Sequence, residues 1–195
     1  MNLSTKKMLA RAGPILARLP DGSCTFVEVG VNRGQLAEHL LRERPILQWH
    51  GVDPWCGRDG HSRAYVATRD GHAVETRSDA ERRMRRALDA LRPFGRRATV
   101  HREASPAATR FFGPSSVNAV FIDGDHSYEG CKVDIEAWWP LVALGGWLGG
   151  HDYGNADPRF DFSGVDRAVD AFVANLDLPL ELDGGATWFV RKPGA

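Results

Sequence analysis

The chain has 195 residues, 43% hydrophobic and 26% charged, with zero formal net charge. That suits one globular domain with a full core and excludes a disordered chain. It also gives no global attraction to nucleic acid or an anionic membrane. Cys24, Cys56 and Cys131 form no CxxC pair, so neither a disulfide framework nor a zinc knuckle is suggested, and a reducing cytoplasm is the simplest compartment.

The opening stretch "MNLSTKKMLARAGPILARL" reads as one or two short helices interrupted near Gly-Pro, within an N-terminal helical segment at 1–22. It lacks the long apolar core of a signal peptide, and no stretch of the chain is apolar enough to span a bilayer. Two roles are open to this segment: cover over a site, or contact in a homodimer. "CTFVEVG" is a short strand ending at glycine, and "QLAEHLLRE" follows with leucines at helical spacing. "LQWHGVD" is a second strand. Residues 56–77 form a long polar, glycine-dotted segment, expected to be a lid loop over the acceptor. "SDAERRMRRALDALRPFG" is a helix whose S-x-x-E start, Ser78 to Glu81, predicts a capping box. "ATVHRE", "VNAVFIDG" and "GGWLGGHDY" are further strands, separated by the helix "YEGCKVDIEAWW". A helix, "SGVDRAVDAFVANL", precedes a terminal antiparallel pair.

Strand and helix alternate from Cys24 onward, the pattern of an α/β parallel sheet, doubly wound, with helices on both faces. Ligands of such sheets sit at the carboxyl ends of the strands. The informative residues are therefore those that end strands. Gly30 and Gly34 flank a tight strand-to-helix turn, but Asn32 and Gln35 stand where a dinucleotide fingerprint needs glycine. That argues against NAD, and Glu28 beside the turn suits a cationic ligand. Asp53 ends the second strand and is placed to accept ribose hydroxyls. Together these two features indicate a nucleoside site. Between residues 77 and 102 there are nine arginines. They read as a solvated helix face, with an anionic-substrate site as the sharper alternative.

"EVGVNRG", "GVDPW" and "FIDGDHSYEG…DIEAWWPLVALGGWLGGHDY" resemble the class I S-adenosylmethionine-dependent methyltransferases. Within that class the chain is most similar to a small bacterial group of sugar and antibiotic O-methyltransferases of the macrocin type. The resemblance implies a single Rossmann-like domain over 1–195, built on a seven-stranded sheet with its last strand antiparallel. It implies that Glu28 and Gly30 meet the methionine end of S-adenosyl-L-methionine, and that Asn32, Gly34 and Asp123 also bind the cofactor. Asp53 would take the ribose, and Ala104 and Ser105 would border the adenine.

The ends of the fourth and fifth strands, "DGDH" and "GHDY", are neighbours in such a sheet. Metal-dependent relatives carry their ligands there, which implies Asp123, His151 and Asp152 as ligands for Mg²⁺ or Mn²⁺. The strand-five pair departs from those relatives, which have Asp-Asp or Asp-Asn. The alternative is that the three groups hydrogen-bond substrate and cap loops. His126, three residues after Asp123, stands where the catechol-type relatives have a lysine base. Histidine can do the same work at neutral pH, and His151 is the next candidate. The expected reaction is methylation of a hydroxyl on a small acceptor such as a sugar or glycosylated metabolite. The rivals are N-methylation of an amine and a non-catalytic cofactor-binding module. Nucleic acid as substrate is disfavoured, because no aromatic base-holding loop follows the fourth strand.

Overall fold

The computed structural model describes residues 3–194; the ends of the predicted 1–195 domain, including the first two residues of the N-terminal segment, lie outside them. Seven strands form one sheet: β1 (Cys24–Val29), β2 (Leu47–Val52), β3 (Ala98–His101), β4 (Val117–Ile122), β5 (Val142–Gly150), β6 (Glu181–Asp183) and β7 (Thr187–Arg191). Their order is β3-β2-β1-β4-β5-β7-β6, with β7 antiparallel to both of its neighbours. The fold expected from the strand–helix alternation is the one observed. The third strand is shorter than "ATVHRE", because Arg102 and Glu103 already leave the ladder.

Seven helices connect and cover these strands: α1 (Leu3–Arg18), α2 (Gln35–Glu43), α3 (Arg63–Ala67), α4 (Arg77–Leu91), α5 (Ser105–Ala108), α6 (Tyr128–Trp138) and α7 (Ser163–Leu176). Alternation along β1 and β4 sends side chains to two cores. Phe26 and Phe121 pack with Leu40, Trp49 and the apolar stripe of α1. Val27, Val29, Val120 and Ile122 pack with Ile135, Trp138, Val165 and Val169 from α6 and α7. The sheet is thus buried on both faces, as parallel sheets require. The glycines of β5 make room for β7: a Cβ on Gly150 would stand 2.7 Å from the Trp188 indole.

Three local expectations are corrected. The predicted break at Gly13-Pro14 is absent, and α1 is one helix with Pro14 inside it. Ala12, Ile15 and Leu19 keep one buried stripe through the proline, and that packing outweighs the missing hydrogen bond. The capping box of α4 is Thr76 with Asp79, not Ser78 with Glu81. The helix starts one residue before Ser78, so the same spacing is used two positions earlier. Residues 56–77, read as a lid loop, line the cleft described below but are partly helical. They hold a 3₁₀ turn and α3, with Tyr65, Thr68 and Asp70 buried.

The arginine run is mostly a solvated face. Arg82 pairs with Asp79, Arg92 with Asp89, and Arg97 donates to the carbonyls of Leu41 and Arg44. Arg83 alone in α4 turns inward, pairs with Glu75 and reaches the cleft described next.

Candidate active site

The register of the sheet aligns the strand ends. Val29 pairs with Val52 and Ile122, Val52 with His101, and Ile122 with Gly150. The next residues therefore fall in one row: Asp53, Gly30, Asp123 and His151. Backbone bonds extend the ladder to each, from Asp53 N to His101 O (3.2 Å), Gly30 N to Val52 O (2.9 Å), Asp123 N to Val29 O (2.8 Å) and His151 N to Ile122 O (3.0 Å). Above this row lies a cleft of about 1010 Å³.

One end of the cleft is the glycine turn. Gly30 has φ +89°, and a Cβ there would sit 2.0 Å from the Asp123 carbonyl oxygen. Only glycine lets β1 and β4 end side by side. Asn32 and Trp55 are also left-handed, at φ 54° and 38°. Such backbone is held only where surroundings over-determine it, and it concentrates at ligand sites. The tie here is Asp53: its carboxylate accepts from Asn32 N (2.9 Å) and Trp55 N (2.8 Å), while the Trp55 indole donates to Asn32 O (2.8 Å). The amide oxygen Oδ1 of Asn32 is buried without a partner. An orphaned acceptor beside a glycine turn and a strand-ending acid fits a nucleoside cofactor with a cationic tail.

Glu28 is 2% exposed and accepts from the Trp49 indole at 2.9 Å. Burial pushes its carboxyl up to about 8, against the pull of that bond. A cationic cofactor group would favour the ionised form, so binding below pH 8 must release a proton. Affinity is therefore expected to rise with pH up to about 8 and then level off, and Glu28→Gln should remove the dependence. Calorimetry at pH 7 in two buffers of different ionisation enthalpy reads the proton directly. Equal heats in both would sink the prediction.

Ala104 and Ser105 line the far side of the cleft. The Ser105 hydroxyl is engaged, accepting from the Trp138 indole at 2.8 Å.

The other end of the row carries the charged cluster. Asp123, His126 and Asp152 present ligand atoms within 4.8 Å of one another. His126 Nε2 lies 3.0 Å from Asp152 Oδ2 and 3.4 Å from Asp123 Oδ1. His151 Nδ1 lies 2.8 Å from Asp152 Oδ2 and 3.6 Å from Asp123 Oδ1, yet forms no hydrogen bond. Asp152 is left-handed at φ 65°. All four strand-end residues singled out from the sequence thus converge. Two imidazoles converging on the buried Asp152 and the half-buried Asp123 form a donor set that fits a divalent cation.

Three neighbours were not foreseen. Asp70, from the 56–77 segment, takes the other His126 nitrogen: Nδ1 lies 2.9 Å from its Oδ2, which also accepts from the Tyr65 hydroxyl at 2.9 Å. Phe162 stacks on the His126 ring at 4.3 Å. Arg11 of α1 reaches across and forms an ion pair with Asp123 Oδ2. No local pattern marks these residues; only packing brings them in.

The electrostatics follow. Burial works against charge on His126, but Asp123, Asp152 and Asp70 outweigh it and hold the imidazole well above its usual range. Burial would raise Asp123, but Arg11 and His151 outweigh it and hold that carboxyl below its usual range. Asp152 is held low in the same way by His126 and His151.

A family model described as a methyltransferase domain matches residues 27–153. The chain belongs to this family. It is a class I S-adenosylmethionine-dependent methyltransferase. The matched span runs from β1 through the end of β5 and so includes the whole row of strand ends. Solved structures share the fold of this methyltransferase at low identity. CalS11, a TDP-rhamnose 3'-O-methyltransferase of calicheamicin biosynthesis, is 17% identical with a TM-score of 0.63, over 98% of this chain and 80% of that one. The O-methyltransferase NovP is 17% identical, TM-score 0.59, over 97% and 78%. An O-methyltransferase from Bacillus cereus in complex with SAH is 14% identical, TM-score 0.60, over 98% and 82%. No curated protein sequence matches the methyltransferase. Among its described residues, no helix is long and apolar enough to cross a membrane.

Proposed function

We propose that this methyltransferase transfers the methyl group to a hydroxyl of a small polyhydroxylated acceptor, a sugar or glycosylated metabolite of the kind handled by macrocin-type enzymes, with a divalent cation at the acceptor. The observation that carries the reading is the row of strand ends. It sets the Gly30–Asp53 half of the cleft directly beside Asp123, His151 and Asp152. The sugar O-methyltransferase among the structural neighbours supports the acceptor class. The paired or solvated arginines of α4 support a small molecule over nucleic acid. Three free thiols fit a cytosolic protein.

In this reading Asp53 and Asn32 hold the ribose side of S-adenosylmethionine, Glu28 and Gly30 its methionine side, and Ala104 and Ser105 border the adenine. The bound sulfonium supplies a methyl group that is already activated. Asp123, Asp152 and His151 Nδ1 would hold Mg²⁺ or Mn²⁺, which lowers the pKa of a coordinated hydroxyl. The chain itself has to orient that hydroxyl and remove its proton. Asp70 fixes His126 through Nδ1 and turns Nε2 toward the cluster, the base-and-orienter arrangement. Nε2 would take the proton once a cation on Asp123 and Asp152 has displaced the proton that the carboxylates otherwise hold on the ring. Phe162 and Tyr65 keep water from the ring.

Asp53→Ala tests the cofactor half. It is expected to weaken S-adenosylhomocysteine binding by about 1–3 kcal/mol, since it unpairs both ribose hydroxyls and the turn amides. NAD should not bind either protein. Equal calorimetric affinity for NAD and S-adenosylhomocysteine would remove the assignment.

A further inference from the structure

The cation half of the cleft already holds a cation of its own. Arg11 lies on α1, whose residues Met8, Ala10 and Arg11 line the cleft. Its guanidinium pairs with Asp123 Oδ2, and its Nε is buried without a partner. Ahead of Arg11 the described part of the helix packs lightly, with Met8 partly buried and Ala10 exposed, and firm packing starts at Ala12. Ile15 and Leu19 are 2% and 5% exposed. Arg18 binds Glu181 and Asp183 at 2.9 and 3.1 Å and stacks 3.9 Å from the Phe189 ring centre. Between Arg11 and Ile15 stand Gly13, with open space where its side chain would be, and Pro14, which has no N–H to give the helix. Glycine and proline in sequence make this the weakest turn of α1.

We propose that Arg11 is a latch that competes with the divalent cation for Asp123, so that loading the site releases the N-terminal half of α1 about Gly13-Pro14. The inference rests on the cation reading above. A divalent cation brought onto Asp123 beside the Arg11 guanidinium would meet strong repulsion. Exclusion of one by the other is a coupling between ion and helix, and such coupling is reciprocal, typically ~5–150-fold. Opening of this half also uncovers the acceptor side of the cleft, which makes acceptor entry follow ion loading.

The test uses the full chain and Mn²⁺ alone, with free ion read by electron paramagnetic resonance. Arg11→Gln should bind Mn²⁺ more tightly than wild type by ~5–150-fold. Arg11→Lys, which keeps the charge, should fall between them, and Asp123→Asn should weaken binding in every background. Thermal melts confirm that each variant is folded. In wild type, Mn²⁺ should raise amide hydrogen exchange at residues 6–12 and leave 15–19 protected. Equal Mn²⁺ affinity in wild type and Arg11→Gln overturns the latch and leaves the cation reading standing. Weaker binding by Arg11→Gln also overturns it, making Arg11 a support for the ligand carboxylate. Absence of Mn²⁺ binding from both proteins removes the cation reading and the latch with it.

Discussion

His126→Ala is expected to lower kcat by ~10²–10⁴-fold, the range for loss of a general base, with cofactor affinity retained. The expectation comes from geometry. The ring is fixed on one side by Asp70 at 2.9 Å and stacked by Phe162 at 4.3 Å, which leaves Nε2 as its one working atom. That atom lies 3.0 Å from Asp152 and 3.4 Å from Asp123, where the acceptor oxygen is proposed to be held. Nε2 cannot take a proton and bind a cation at the same time. The base reading therefore makes a second demand: His126→Ala must keep its Mn²⁺ affinity. A parallel loss of rate and ion affinity would make His126 a ligand and pass the base to His151. The substitution also leaves three carboxylates facing one another without their shared imidazole. A lower melting temperature is expected, so rates should be compared well below it. Near-normal kcat in a folded His126→Ala protein would place the base elsewhere.

The sheet and the row of strand ends were legible in the sequence because both are written locally. Apolar runs that stop at Gly30, Asp53, Asp123 and His151 mark the carboxyl ends of parallel strands, and topology then sets them side by side. The glycine turn was legible for the same reason. What was not legible depends on contacts between distant segments. Arg11 and Asp123 are 112 positions apart, and Asp70 and His126 are 56 apart. An arginine in "LARAG" and an aspartate in "TRDGH" look like any solvated pair. The 56–77 segment read as a loop because its buried residues, Tyr65, Thr68 and Asp70, follow neither a helical nor a strand period. They are held by side-chain bonds instead, Tyr65 to Asp70 and Thr68 to the Tyr65 carbonyl. The break expected in α1 failed because the buried stripe through Ala12, Ile15 and Leu19 carries the helix past Pro14.

If the proposed cation is bound, removal of divalent ions is expected to lower turnover by ~10²-fold or more, because the ion would supply several kcal/mol of charge stabilisation at the acceptor oxygen. Mg²⁺ or Mn²⁺ added back should restore the rate. Chelation alone does not identify the site, so Asp152 provides the matching test. Its backbone is left-handed at φ 65°, a conformation that asparagine adopts more readily than alanine. Asp152→Asn therefore removes the negative charge with little strain, whereas Asp152→Ala would mix charge loss with backbone cost. With one anionic ligand fewer, Asp152→Asn should need a higher Mn²⁺ concentration for half-maximal rate and regain much of its turnover at saturation. S-adenosylhomocysteine affinity should be unchanged, since the ribose half of the cleft ends at Asp53 on the other side of Gly30. The ion requirement and the variant then report on one atom set: Asp123, His151 Nδ1 and Asp152. A fully chelated enzyme that keeps its rate would mean that these groups hold the acceptor by hydrogen bonds, with the His151 ring as their donor.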